Sequence, residues 1–146
     1  MPKYVKFDEQ VAISKAMDVF WKKGYSGASM RDLTDSMEIN SSSLYNSIGD
    51  KHQLFVKCIK NYTETRMQAT TRMLQNISSP IKAIEKFIET SVYAITHEPN
   101  SCLAIKTTFE MAIDDPEVQK IIKANSNFTY NLILQLVENA IEKNEI

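Results

Sequence analysis

An all-helical fold follows from three features of this 146-residue sequence. Apolar residues recur at helical spacing almost throughout, three glycines and four prolines are the only strong chain-breakers, and the breaks between periodic stretches carry helix-capping residues. Average usage would supply roughly twice as much glycine and proline, so a sandwich or barrel built on many tight turns is excluded. A domain of this length buries roughly two thirds of the surface its unfolded chain exposes and needs no disulfide or metal staple.

The elements can be placed in order. Asp8 can accept from the first-turn N–H groups of a helix whose stripe is Val11, Ala12, Ala16, Val19 and Phe20 and which ends at Gly24. Ser29, with Asp32 three residues on, is a variant capping box that opens a two-turn helix with Met30, Leu33 and Met37 inward. Asn40 caps a third short helix through Ser47, with Leu44 and Ile48 inward, and Gly49 ends it. Asp50 and Gln53 form another box, behind which Leu54, Phe55, Cys58, Ile59 and Tyr62 mark a helix to about Met73, roughly 35 Å long at 1.5 Å per residue. Pro80 suits the first turn of a fifth helix carrying Ile84, Phe87, Ile88, Ser91 and Ile95. A sixth helix is expected from Cys102 to Ile113. Asp115-Pro116 opens a seventh through Val118, Ile121, Ile122, Phe128, Leu132, Leu136 and Ile141, and the apolar faces around Leu132 to Val137 predict burial on more than one side.

Composition narrows the function. Cys58 and Cys102 have no paired spacing, so neither a zinc site nor a disulfide framework is expected, and no cofactor is implied. His52 belongs to a helix start and His97 to a loop, neither near a serine, cysteine or paired carboxylate at useful spacing, so the chain does not read as an enzyme. Cys58 lies on an apolar stripe, where a thiol is inert. No apolar run approaches the roughly 20 residues of a membrane span, and the polar, charged N-terminus is not a signal peptide. A soluble, cytoplasmic protein without membrane association is expected. The first sixty residues hold nine basic and seven acidic side chains and the remainder eight and eleven, an asymmetry that favours a nucleic-acid contact in the first part.

The second and third helices, separated only by Glu38 and Ile39, form a helix-turn-helix of the length found in DNA-binding proteins. With Leu44 inward, Ser41, Ser42, Ser43, Tyr45 and Asn46 face mostly outward. They are small or planar hydrogen-bonding groups with no carboxylate among them, a surface that can approach base edges and phosphates. A run of serines after an asparagine is equally a solvated helix start, and the residues alone leave both readings open.

Ala16-Met17-Asp18-Val19-Phe20, Gly24-Tyr25, Ser29-Met30-Arg31-Asp32-Leu33, Ile39, Ser43-Leu44-Tyr45, Asp50-Lys51 and Leu54-Phe55 together resemble the N-terminal signature of the TetR family of bacterial transcriptional regulators, over roughly residues 8 to 58 in unbroken register. The resemblance implies a DNA-binding head over residues 1–50 and a helical ligand-binding and dimerisation region over residues 51–146. It implies backbone or base-edge contacts from Ser29 and Arg31, base reading by Ser41, Ser42 and Asn46, and phosphate contacts from Ser43, Tyr45 and Lys51. Lys51 adds charge in a first helical turn whose free N–H groups add donors, and Tyr45 can pack its ring while its hydroxyl reaches a phosphate. The chain departs from the family at three positions. Glu38 stands where glycine is usual and requires either another turn geometry or a positive φ, Ser47 replaces a common His or Tyr, and Ile48 replaces Phe.

The second half resembles one branch of that family more loosely, through Asn100-Ser101-Cys102-Leu103 and Asp115-Pro116-Glu117-Val118. In that family this half dimerises and holds a small molecule whose binding changes the separation of the two recognition helices. Phe87, Ser91, Phe109, Met111 and Phe128 are candidate pocket residues, although aromatic and methionine side chains at this spacing are also ordinary core. The resulting expectation is a homodimeric repressor, released from a palindromic double-stranded DNA operator by a small-molecule effector. The alternative is a helical protein-interaction module with a vestigial head. Against the family the chain is short by about two helices, those that pack as its dimer interface, so a truncated form or a different mode of dimerisation is expected.

Overall fold

Local capping chemistry sets where each helix begins. The computed structural model describes residues 7–97 and 114–146, and among these there are six helices and no strands. They are α1 (Glu9–Gly27), α2 (Met30–Met37), α3 (Ser41–Ser47), α4 (Lys51–Leu74), α5 (Pro80–His97) and α6 (Pro116–Glu142). The Asp8 carboxylate accepts from the N–H groups of Gln10 and Val11. Ser29 and Asp32 form a reciprocal box at 3.0 Å in both directions, and the Asn40 side chain accepts from Ser43 N–H at 2.8 Å. At α4, Asp50 N–H donates to Gln53 Oε1 while Gln53 N–H donates to Asp50 Oδ1. Asp115 accepts from Glu117 and Val118 N–H, with Pro116 as the first residue of α6. Each expected cap is thus formed by the side chain expected to form it, satisfying donors that a helix start leaves open. The helix expected over Cys102–Ile113 lies outside the described residues.

The chain divides into two compact units, one ending at Lys60 and one beginning at Asn61. In the first, α1 packs on α2 and α2 on α3. Its core is Ala12, Ile13, Ala16, Met17 and Phe20 of α1, Leu33 and Met37 of α2, Leu44 and Ile48 at α3, and Leu54, Phe55, Cys58 and Ile59 of α4. The expected α1 stripe is corrected here, because Val11 is 50% exposed while Ile13 and Met17 are buried. Both assignments fit a helical period, and only the position of the neighbouring helices chooses between them. Gly24 takes φ 71 and ψ 176 within α1, a conformation essentially restricted to glycine, and this turns the chain after the stripe ends. Burial drives the Cys58 thiol up to about 12, and its Sγ lies 3.6 Å from the carbonyl of Ile13.

In the second unit α5 packs against α6. The residues after α6 tie back to the start of α5. Asn144 adopts φ 53, Glu145 accepts from both Ser79 Oγ (2.9 Å) and Ile81 N–H (2.8 Å), and Lys143 Nζ donates to the Ser78 carbonyl. Glu145 therefore acts as an N-terminal cap for α5 supplied from far along the chain. The expected burial of α6 on several sides is not met among the described residues. Leu132, Ile133, Leu136 and Val137 are half-buried, and Leu134 is 43% exposed. On α5, Ile88, Val92, Tyr93 and Ile95 are likewise exposed. No helix among the described residues is long and apolar enough to cross a membrane.

The seven residues of α3 are too few to be stable alone, so Leu44, fully buried, anchors the helix. Leu44→Ala is expected to destabilise the protein by about 2–5 kcal/mol, read as a lowered urea midpoint.

Candidate nucleic-acid interface

The turn between α2 and α3 carries the departure noted at Glu38. Its backbone is left-handed, with φ 58 and ψ 37, and its N–H donates to the carbonyl of Asp35. The sequence requirement at this position is thus met by a positive φ on a non-glycine residue, a conformation that costs roughly 1–2 kcal/mol. The side chain compensates. Glu38 Oε2 lies 2.6 Å from Lys15 Nζ on α1, and the lysine holds the carboxyl below its ordinary range. Ser36 Oγ donates to the Lys15 carbonyl at 3.2 Å, so both the backbone and the ammonium of Lys15 hold the turn.

This frame places the expected contact residues. On α3, Ser41, Ser42, Tyr45, Asn46 and Ser47 are exposed and Ser43 is half-buried, while Leu44 points into the core. Tyr45 is 55% exposed, so its ring is largely presented to solvent rather than packed. The face left outward offers hydroxyl, amide and phenol groups and no carboxylate. Ser29 is occupied as the N-cap of α2, and Arg31, two residues further on, is exposed beside Asp35 at 3.7 Å. Gly49, at φ 126, connects α3 to α4, and a Cβ there would collide with the Gln53 amide of the α4 cap. Lys51 is the first residue of α4, and its Nζ lies 4.5 Å from the centroid of the Tyr25 ring.

Acidic groups near this face are held in ion pairs or caps. Asp32 lies 2.8 Å from Lys23 Nζ and accepts from Ser29 N–H, and these contacts, the lysine first, hold its carboxyl well below the usual carboxylate range. Glu9 pairs with Lys57 at 2.6 Å. Sequence reasoning passed over Lys15, Lys23 and Tyr25 as parts of the site. Lys23 and Asp32 are nine positions apart, and Lys15 and Glu38 twenty-three, separations to which no helical or strand period points.

In the second unit, Glu64, Met67, Gln68, Thr71 and Arg72 of α4 line an open groove of about 400 Å³ together with Phe128 of α6. Among the described candidate pocket residues, Phe128 alone reaches this groove. Phe87 and Ser91 do not line it; both are half-buried on α5, where Ser91 Oγ donates to the Phe87 carbonyl at 2.8 Å. Phe109 and Met111 lie outside the described residues. The four α4 positions Glu64, Met67, Gln68 and Thr71 follow the i, i+3, i+4, i+7 spacing of one helix face, a signal visible in the sequence but not separable there from core.

Residues 12–58 match the model of a family described as bacterial regulatory proteins of the tetR family. The HTH-type transcriptional regulator YezE of Bacillus subtilis (strain 168) is 29% identical over 123 residues, covering 83% of this chain and 63% of its own length. The HTH-type transcriptional repressor ComR of Escherichia coli (strain K12) is 23% identical over 124 residues, covering 81% of this chain and 58% of its own. The chain thus spans about three fifths of the length of these relatives. A cysteine mutant of the TetR family transcriptional regulator CifR, complexed with 26-bp double-strand operator DNA, superposes with a TM-score of 0.79 at 27% identity, over 97% of this chain and 75% of that one.

Two outcomes are expected of the turn and the cap. Glu38→Gly relieves the backbone cost and loses an exposed ion pair worth at most about 1 kcal/mol, so the urea midpoint should rise slightly or stay level; Glu38→Ala keeps the strain, loses the pair and should lower it. Asp32 has its folded pKa depressed below an ordinary 3.8. Its contribution is therefore fully present above that value and is lost progressively as pH falls below it toward the depressed folded pKa. Thermal unfolding followed from pH 6 down to pH 2 should show a steeper acid loss in the parent chain than in Lys23→Met.

Proposed function

Because the chain is a member of the TetR family of bacterial transcriptional regulators, we propose that it binds operator DNA through the outward face of α3 and acts as a repressor that a small molecule releases. The observation that carries this reading is the division of labour on α3. Leu44 and Ile48 hold the helix from below, while Ser41, Ser42 and Asn46 are exposed with groups short enough to reach base edges in the major groove. Ser43, Tyr45 and Lys51 supply phosphate contacts on this reading, and Ser29 and Arg31 contact the backbone or a base edge at the start of α2. Lys51 contributes a positive charge beside the N–H groups of the α4 first turn, a combination suited to a phosphate. CifR in complex with its operator supports this reading for the fold as a whole.

The groove along α4, with Met67 and Phe128 for apolar contact and Gln68, Thr71 and Arg72 for polar contact, is the place we assign to the effector. An effector that favours a DNA-incompatible state weakens operator binding by the same factor by which DNA weakens effector binding. The exposed apolar residues of α5 and α6 support a homodimer, in which two heads read a near-palindrome with half-site centres about 10 bp, or a multiple of it, apart.

Selection of bound fragments from random double-stranded DNA, followed by footprinting, tests the activity and yields the operator. On the selected site, Lys51→Ala is expected to weaken binding to all sequences and to reduce the slope of log K against log salt by about 0.9. Ser41→Ala and Asn46→Ala should instead shift base preference at one or two positions. A footprint without two-fold symmetry would remove the dimer. No enrichment at low salt, together with a stable complex with another protein, would replace the regulator with a helical interaction module.

A further inference from the structure

Four lysines of the first unit show two chemical settings. Lys15, Lys23 and Lys57 each lie within 2.8 Å of a carboxylate, of Glu38, Asp32 and Glu9 respectively. An ammonium so placed is partly neutralised, and its donors are directed at the partner oxygen. Lys51 is held differently, with Nζ over the face of Tyr25. A ring quadrupole attracts an ammonium within about 6 Å without cancelling its charge, and an ammonium carries three donors, which a ring face does not consume as a carboxylate would.

The ring that holds it is itself fixed. Tyr25 stacks on Phe20, with centroids 6.2 Å apart and planes at 13°, and meets Phe55 edge-on at 5.1 Å. Phe20 and Phe55 are fully buried and touch each other at 4.9 Å. Lys51 and Phe55 are four residues apart on α4, so they share one helix face and both meet Tyr25. The turn at Gly24 directs the chain immediately before Tyr25.

We propose that Tyr25 is a positioning residue for DNA binding, holding the Lys51 ammonium oriented and available to a backbone phosphate. The inference rests on Lys51 being a phosphate contact, and a double-mutant cycle separates the two. With the selected operator fragment and fluorescence anisotropy at several salt concentrations, Tyr25→Leu should weaken binding about two- to fivefold, and Tyr25→Phe, which keeps the ring, should restore it. In the Lys51→Ala background Tyr25→Leu should have no further effect on DNA affinity. A loss of equal size in both backgrounds would show that Tyr25 only maintains the fold and would overturn the proposal. Lys51→Ala with parental affinity and salt slope would remove the phosphate contact and the positioning role with it. Side-chain NMR of the DNA-free parent protein needs no variant. The Lys51 ε-methylene protons should be shifted upfield by the Tyr25 ring, and resonances at the positions of an exposed lysine would refute the contact itself.

Discussion

A helix of seven residues such as α3 cannot hold its own shape. Helix nucleation is unfavourable, and a segment of two turns returns too few hydrogen bonds to offset it, so everything α3 presents outward depends on what it buries. Leu44 and Ile48 supply that burial, the Asn40 cap and the Gly49 turn close its ends, and the left-handed residue at Glu38 sets the angle at which it leaves α2. The surrounding helices answer this constraint. Helix α1 contributes the Lys15 contacts to the turn and α4 contributes the Gln53 amide beneath Gly49.

The same arrangement governs the charge of the head. Its small positive excess would be of little use to an anion if the acidic side chains stood exposed beside the α3 face. Asp8 and Asp50 cap helices, Asp32 caps α2 and pairs with Lys23, Glu9 and Glu38 pair with lysines, and Asp35 lies beside Arg31. Caps and pairs of this kind contribute only modestly to stability when exposed. Their larger effect here is to direct these carboxylates at donors within the same unit.

Much of this was readable in the residues because capping is local. Asp8, Ser29, Asn40, Asp50 and Asp115 each bond within three residues, and the exposed and buried sides of α3 follow from one leucine. The features that escaped are those set by distant neighbours. Choosing Ile13 and Met17 over Val11 as the inner side of α1 requires knowing where α2 lies. The pairings Lys15–Glu38 and Tyr25–Lys51 join residues brought together only by packing, and the Glu145 cap on α5 spans more than sixty residues. The apolar faces of α6 show a limit of another kind, since periodicity marks a surface as apolar but does not say what covers it.

The separation on α3 between one inward leucine and a set of outward serines and an asparagine has an evolutionary consequence. Substitutions at exposed positions away from caps and core usually change stability by no more than about 0.5 kcal/mol. Ser41, Ser42 and Asn46 hold no core contact, so a lineage can exchange them without approaching the threshold at which the head unfolds. On the function proposed above, drift at these three positions would be limited almost entirely by the operator, leaving the scaffold able to pass from one operator to another through intermediates that all remain folded.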